Sequence, residues 1–166
     1  MSVELVEKAA ELTFTEGSSV YPPWKAQVFA HEQCGMREIF SLLQKRGVAP
    51  YLLSATLDPL ALAGARHLGI PELNALGSLL EIKEGIYTGE VRFNTYAAKA
   101  AVAKQLLPAP PFVSFGDSPV SDYPMMIQAL GAAFMINPRP QFIEKEAKEA
   151  GGFVVALHFE HTQGNL

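Results

Sequence analysis

From residue 50 onward the sequence alternates short apolar runs with stretches of helical period, and this alternation constrains the fold more than any other feature. Pro50-Tyr-Leu-Leu-Ser-Ala55 is a short apolar run bounded by turn signals, which predicts a buried strand ending at Ser54. Asp58-Pro59 reads as a helix start, with Asp58 as N-cap and Pro59 in the first helical position. That helix carries Leu60, Ala63, Gly64 and Leu68 and ends near Gly69. Leu79–Ile82 and Ile86–Val91, separated by Lys83-Glu84-Gly85, read as a hairpin. A helix with Ala98, Ala101, Val102 and Leu106 follows and stops at the prolines from Pro108 to Pro111. Phe112–Phe115 predicts a second buried strand, about Val120 to Leu130 a helix, and Ala132–Ile136 a third strand. Phe142–Ala150 predicts a helix and Phe153–Leu157 a fourth strand. Strands alternating with helices imply an α/β fold with a parallel sheet covered by helices, and such sheets bind ligands beyond the carboxyl ends of their strands.

The first 50 residues have a different character. Residues 2 to 14 place Leu5, Val6, Ala9, Ala10 and Leu12 on one broad helical face. Gly17–Pro23 is loop-like, and a helix from about Trp24 to Arg46, broken near Gly35, puts Met36, Ile39, Phe40 and Leu43 on a core-facing stripe before Gly47 stops it. The whole chain has 166 residues, 49% apolar, enough for one compact core with a small appendage.

Composition narrows the function. A net charge of −4 with no basic cluster argues against a nucleic-acid partner. No stretch approaches the roughly 18 apolar residues of a membrane span, and the acidic N-terminal segment is unlike a signal peptide, so a cytoplasmic protein is expected. Cys34 is the single cysteine, so no intrachain disulfide can form; it reads as a small apolar residue, with His31 one helical turn before it.

Polar residues concentrate where the strand-end rule points. Ser54-Ala55-Thr56 follows the first strand, and Gly116-Asp117-Ser-Pro-Val-Ser121-Asp122 follows the second. Lys99 lies in the first turn of a helix, although Lys104 is an equal candidate by periodicity. The only aspartates are Asp58, Asp117 and Asp122, so two of three share one loop. Paired loop carboxylates suit a divalent cation, but they equally suit a turn cap and a helix start.

In order along the chain, Leu-Leu-Ser54-Ala-Thr, Lys99 and Phe-Gly-Asp117-Ser-Pro-Val-Ser-Asp122 resemble the second, third and fourth motifs of the haloacid dehalogenase superfamily, nearest its phosphoserine-phosphatase-like branch. Gly35-Met-Arg-Glu38, the hairpin Glu84–Val91 and Asn137-Pro138 add to the resemblance, which covers roughly residues 35 to 157. It implies a Rossmann-like three-layer α/β/α core over 35–166, with residues 1–34 as part of a helical cap. By the same resemblance, Ser54 and Ala55 contact a phosphoryl group, Lys99 neutralises its charge, and Asp117 and Asp122 are the Mg²⁺ residues, Asp122 supporting the metal shell or the lysine. The implied substrate is a small phosphorylated metabolite.

The family's first motif, Asp-x-Asp at the end of a first strand, has no counterpart ahead of Asp58, so the sequence reads as the family with its start removed. Glu32 and Glu38 fall in predicted helix and do not replace it. Two expectations follow: weak Mg²⁺ binding and little or no catalysis by this chain. The alternative is a non-catalytic phosphate- or partner-binding module. With a central strand missing between the strands near 50–54 and 112–115, a homo-oligomer joined through that gap is also expected.

Overall fold

A computed structural model of the protein describes residues 1–15, 36–93, 95–136 and 154–157. The elements expected over 16–35 and 142–150, and with them Cys34, His31, Glu32 and Asn137-Pro138, lie outside the described residues. The fold is α/β, as the alternation predicts. Its described elements fall into two compact units, one running from Met1 to Thr95 and the other beginning at Tyr96.

In the first unit, α1 (Val3–Thr15) begins beside the Ser2 hydroxyl, which accepts the Leu5 N–H at 3.3 Å. Ahead of the helix the backbone joins a sheet edge: Ser2 bridges Ile86, and Tyr87 N–H donates to the Met1 carbonyl at 3.0 Å. Helix α2 (Met36–Lys45) is followed by β1 (Leu52–Leu57), α3 (Asp58–Leu68), a short 3-10 turn (Glu72–Asn74) and the hairpin β2 (Ala75–Lys83) and β3 (Ile86–Phe93). β1 runs parallel to β2, and β2 antiparallel to β3. The hairpin turn places Glu84 and Gly85 both at positive φ, the two-residue geometry whose twist matches the flanking strands. The core gathers Ala65, Ile70 and Ala75, with Phe40, Leu52, Leu62 and Leu68 packed against them.

Three expectations are corrected in this unit. The strand does not end at Ser54 but continues to Leu57, and β2 begins four residues before Leu79, at Ala75. Asp58 does not cap its helix. Leu57 holds the cap position, and the Asp58 carboxylate accepts the Gly77 N–H at 2.8 Å instead.

The second unit contains α4 (Thr95–Leu106), β4 (Val113–Gly116), α5 (Tyr123–Met126), β5 (Ala132–Ile136) and β6 (Val154–Leu157). The three strands are parallel in the order β4-β5-β6. Met126, Ala133 and Met135 form the buried centre, with Tyr123, Met125 and Ala129 around it. The helix expected over Val120–Leu130 shrinks to the single turn of α5. Its continuation loses to the sheet: Leu130 N–H bonds the Pro111 carbonyl, and those of Gly131 and Ala132 bond Phe112, drawing the chain straight into β5. No helix among the described residues is long and apolar enough to cross a membrane.

Candidate active site

The carboxyl end of β4 turns into a loop organised around one side chain. Asp122, 5% exposed, folds back toward the strand it follows. Its Oδ1 accepts the Lys99 ammonium at 2.6 Å and the Ser121 hydroxyl at 3.2 Å. Its Oδ2 accepts the backbone N–H groups of Asp117 at 2.9 Å and Ser118 at 3.0 Å. A carboxylate offers about four acceptor positions, and all four here are met by protein donors. The Ser118 hydroxyl in turn accepts the Ser121 N–H at 3.2 Å, so the loop closes on itself.

Gly116 makes this closure possible. A Cβ there would lie 2.5 Å from Asp122 Cβ and 2.7 Å from Met126 Sδ. Only a glycine at the end of β4 lets Asp122 tuck beneath the backbone it bonds.

Lys99 sits on the buried face of α4 with Val102 and Ala103, at i, i+3 and i+4. Lys104 lies off that face and is exposed. Of the apolar residues named for this helix, Ala98 and Leu106 are half-buried and Val102 is buried, while Ala101 is exposed. An ammonium in an apolar stripe needs a counter-charge, and Asp122 supplies it. One of the three Lys99 N–H donors is used in that bond.

The two loop carboxylates are driven apart electrostatically. Burial alone would raise the Asp122 carboxyl, but Lys99 and the N–H groups of Ser118 and Asp117 outweigh it and hold its pKa below the ordinary range. Asp117 is pushed the other way, first by partial desolvation and then by its hydrogen bond to, and repulsion from, the Asp122 carboxylate. The Asp117 side chain itself reaches solvent.

These residues only partly fit a divalent cation. Asp117 offers an accessible carboxylate, whereas the Asp122 oxygens are occupied by donors. Among the described residues no group of three or more His, Cys, Asp and Glu side chains could hold a metal.

Ser54 and Ala55 belong to the first unit and lie within β1, both half-buried. Ser54 Oγ accepts the Thr56 N–H at 3.2 Å, and the Ala55 carbonyl accepts the Ser78 hydroxyl at 3.0 Å. The sequence reading gave no role to Gly116, Ser118, Ser121 or Ser78. The first three stand inside the Gly-Asp-Ser-x-x-Ser-Asp string, so their proximity to the aspartates was the available signal. Ser78 carried none.

The profile of the haloacid dehalogenase-like hydrolases matches residues 3–126. No curated protein matches the sequence. Among solved structures, a protein of unknown function from Bordetella pertussis Tohama I is similar at TM-score 0.65 and 20% identity, over 93% of this chain and 67% of that one. A probable phosphoserine phosphatase from Vibrio cholerae gives TM-score 0.54 and 17% identity, over 92% of this chain and 51% of that one, so this chain spans about half its length. A phosphoserine phosphatase solved as a phospho-aspartyl intermediate analogue gives TM-score 0.52 and 20% identity, over 86% of this chain and 78% of its own. At these identities the structural likeness is one of fold, and the profile match, across most of the sequence, carries the assignment: the chain belongs to the haloacid dehalogenase-like hydrolase family.

Proposed function

We propose that this chain carries the phosphate-recognition part of a phosphoserine-phosphatase-like phosphomonoester hydrolase acting on a small phosphorylated metabolite. The observation that supports it best is Asp122, which orients the Lys99 ammonium and the β4 loop with one carboxylate. A fixed positive charge that need not reorganise is what phosphoryl transfer asks of a protein. In this reading Asp122 is an anchor, and Ser54 and Ala55 in the first unit take the phosphoryl-oxygen roles that family membership suggests. Asp117 is the one loop carboxylate left for Mg²⁺. Mg²⁺ dehydrates reluctantly, so a single carboxylate holds it weakly. Calorimetry of the chain with Mg²⁺ is expected to give at most millimolar-scale affinity (on the order of 1 mM, the weak end for carboxylate sites), and tight binding would require another ligand set.

A second reading, a phosphate-binding module without turnover, is favoured by the aspartates. The sequence contains no Asp-x-Asp. Of its three aspartates, Asp58 bonds Gly77 and Asp122 bonds four donors. Without a carboxylate nucleophile no aspartyl-phosphate can form. The test is an aryl phosphate assay on the 166-residue chain with Mg²⁺. No turnover is expected, with inorganic phosphate still bound; turnover abolished by Asp117→Asn would establish a nucleophile within this chain. The expectation of a homo-oligomer joined through the missing-strand gap near 50–54 and 112–115 is checked by sedimentation over a wide concentration range, and a constant single-chain mass rejects it.

A further inference from the structure

In a regular parallel pair two strands advance together, and β1 and β2 do not. From Leu53↔Leu76 to Leu57↔Ser78, β1 takes four steps where β2 takes two. Two surplus residues are accommodated in β1, over the segment that contains Ser54, Ala55 and Thr56. A bulge of this kind pulls backbone groups out of the ladder, and buried groups so displaced need other partners.

Three side chains provide them. Ser54 Oγ takes the Thr56 N–H, the Ser78 hydroxyl donates to the Ala55 carbonyl, and Asp58 Oδ1 takes the Gly77 N–H. Gly77 also sets the approach of the two segments. A Cβ on it would stand 2.5 Å from Asp58 Cα and 2.7 Å from Asp58 N, so the β2 backbone runs against the start of α3. Asp58 does not cap its helix, and Ser78 is buried at 6% exposure. Both hydrogen-bond across the irregular stretch.

We infer that Asp58 and Ser78 are positioning residues that hold the Ser54–Ala55 bulge in the shape that receives a phosphoryl oxygen. The inference rests on the phosphate-recognition reading and adds to it the residues that hold the Ser54–Ala55 segment. Ladder register alone does not fix this segment, because the pairing shifts between Leu53 and Leu57. Asp58 sets it from the helix side and Ser78 from the strand side. A side chain that shapes a binding segment acts on affinity without touching the ligand.

The test titrates inorganic phosphate into the chain and follows the amide resonances of Ser54, Ala55 and Thr56. Asp58→Ala is expected to weaken phosphate binding about tenfold and Ser78→Ala severalfold, the scale on which supporting residues act. Asp58→Asn keeps an acceptor oxygen for Gly77 and is expected to stay within about twofold of the parent. Amide exchange at Gly77 should accelerate in Asp58→Ala and not in Asp58→Asn. Unchanged phosphate affinity in Asp58→Ala overturns the inference alone, as does an Asp58→Asn variant as weak as Asp58→Ala. No response of these amides to phosphate in the parent overturns the phosphate reading itself. Should Asp58→Ala fail to fold, Asp58→Asn and Ser78→Ala still decide between these outcomes.

Discussion

The two candidate phosphate-handling regions are built by opposite means. In the first unit the Ser54 segment is a backbone irregularity stitched by neutral or singly charged bonds, with Asp58 and Ser78 as struts. In the second unit the β4 loop is drawn around a buried ion pair, Lys99 with Asp122, both nearly excluded from solvent. The first region stores its shape in strand register and the second in charge. Removing one side chain should therefore loosen the first and collapse the second.

Asp122→Ala offers the sharpest contrast. It strands the Lys99 ammonium without its partner and leaves the Asp117 and Ser118 N–H groups without an acceptor. Breaking a buried pair from one side costs about 3–5 kcal/mol. Exchange at the β5 amides should accelerate by about a hundredfold or more, since each ~1.4 kcal/mol is a factor of ten. Ser54→Ala should cost only about 0.5–1.5 kcal/mol, the worth of one ordinary hydrogen bond. Equal losses would erase the distinction between the regions.

Gly116→Ala comes next. Its Cβ meets Asp122 and Met126 well inside contact distance, and forced overpacking costs about 1–3 kcal/mol. Denaturant unfolding measures that loss. The variant should also shift the Lys99 ammonium resonance, because the clash displaces the carboxylate that the ammonium bonds. A fully stable Gly116→Ala protein with that resonance unmoved would mean the loop has room the packing does not display.

The smallest expected effect is on pH dependence. Asp122 has a lowered pKa, so its contribution is complete above the ordinary carboxylate value and is lost as pH falls through its folded value. Asp117 has a raised pKa, so its ionisation costs stability as pH rises from the ordinary value through its folded one. The two slopes oppose each other. Asp117→Asn should remove the loss on the high side and leave the acid-side loss intact, as followed by thermal unfolding across mildly acidic pH. An unchanged profile would dissociate Asp117 from Asp122.

Much of this was legible in the sequence, for identifiable reasons. β5 matches the expected Ala132–Ile136 because a buried apolar run flanked by Gly131 and Asn137 admits few other readings. The loop between Gly116 and Asp122 was visible as a concentration of scarce aspartates. Lys99 and Lys104 could not be separated, because the apolar stripe of an alanine-rich helix hardly marks its own orientation; burial of Val102 and Ala103 decides it. The Asp58 contact was hidden because Asp-Pro at a helix start is an ordinary capping signal, and its competing partner, Gly77, lies 19 residues away. The α5 helix is shorter than its local pattern suggests because the Pro111 carbonyl claims the Leu130 N–H and the Phe112 carbonyl those of the two residues after it, drawing the chain into β5.

The centre of the second unit has a consequence for redox chemistry. Among the described residues its two largest fully buried side chains are thioethers, Met126 and Met135, and Met126 Sδ borders the space kept open by Gly116. Oxygen added to that sulfur would make it polar and bulky beneath the Lys99–Asp122 loop. While the unit is closed, peroxide cannot reach it; Met1, 70% exposed, has no such shelter. The lag between sulfoxide formation at Met1 and at Met126 thus times how often the unit opens, and each oxidation at Met126 makes reclosure harder.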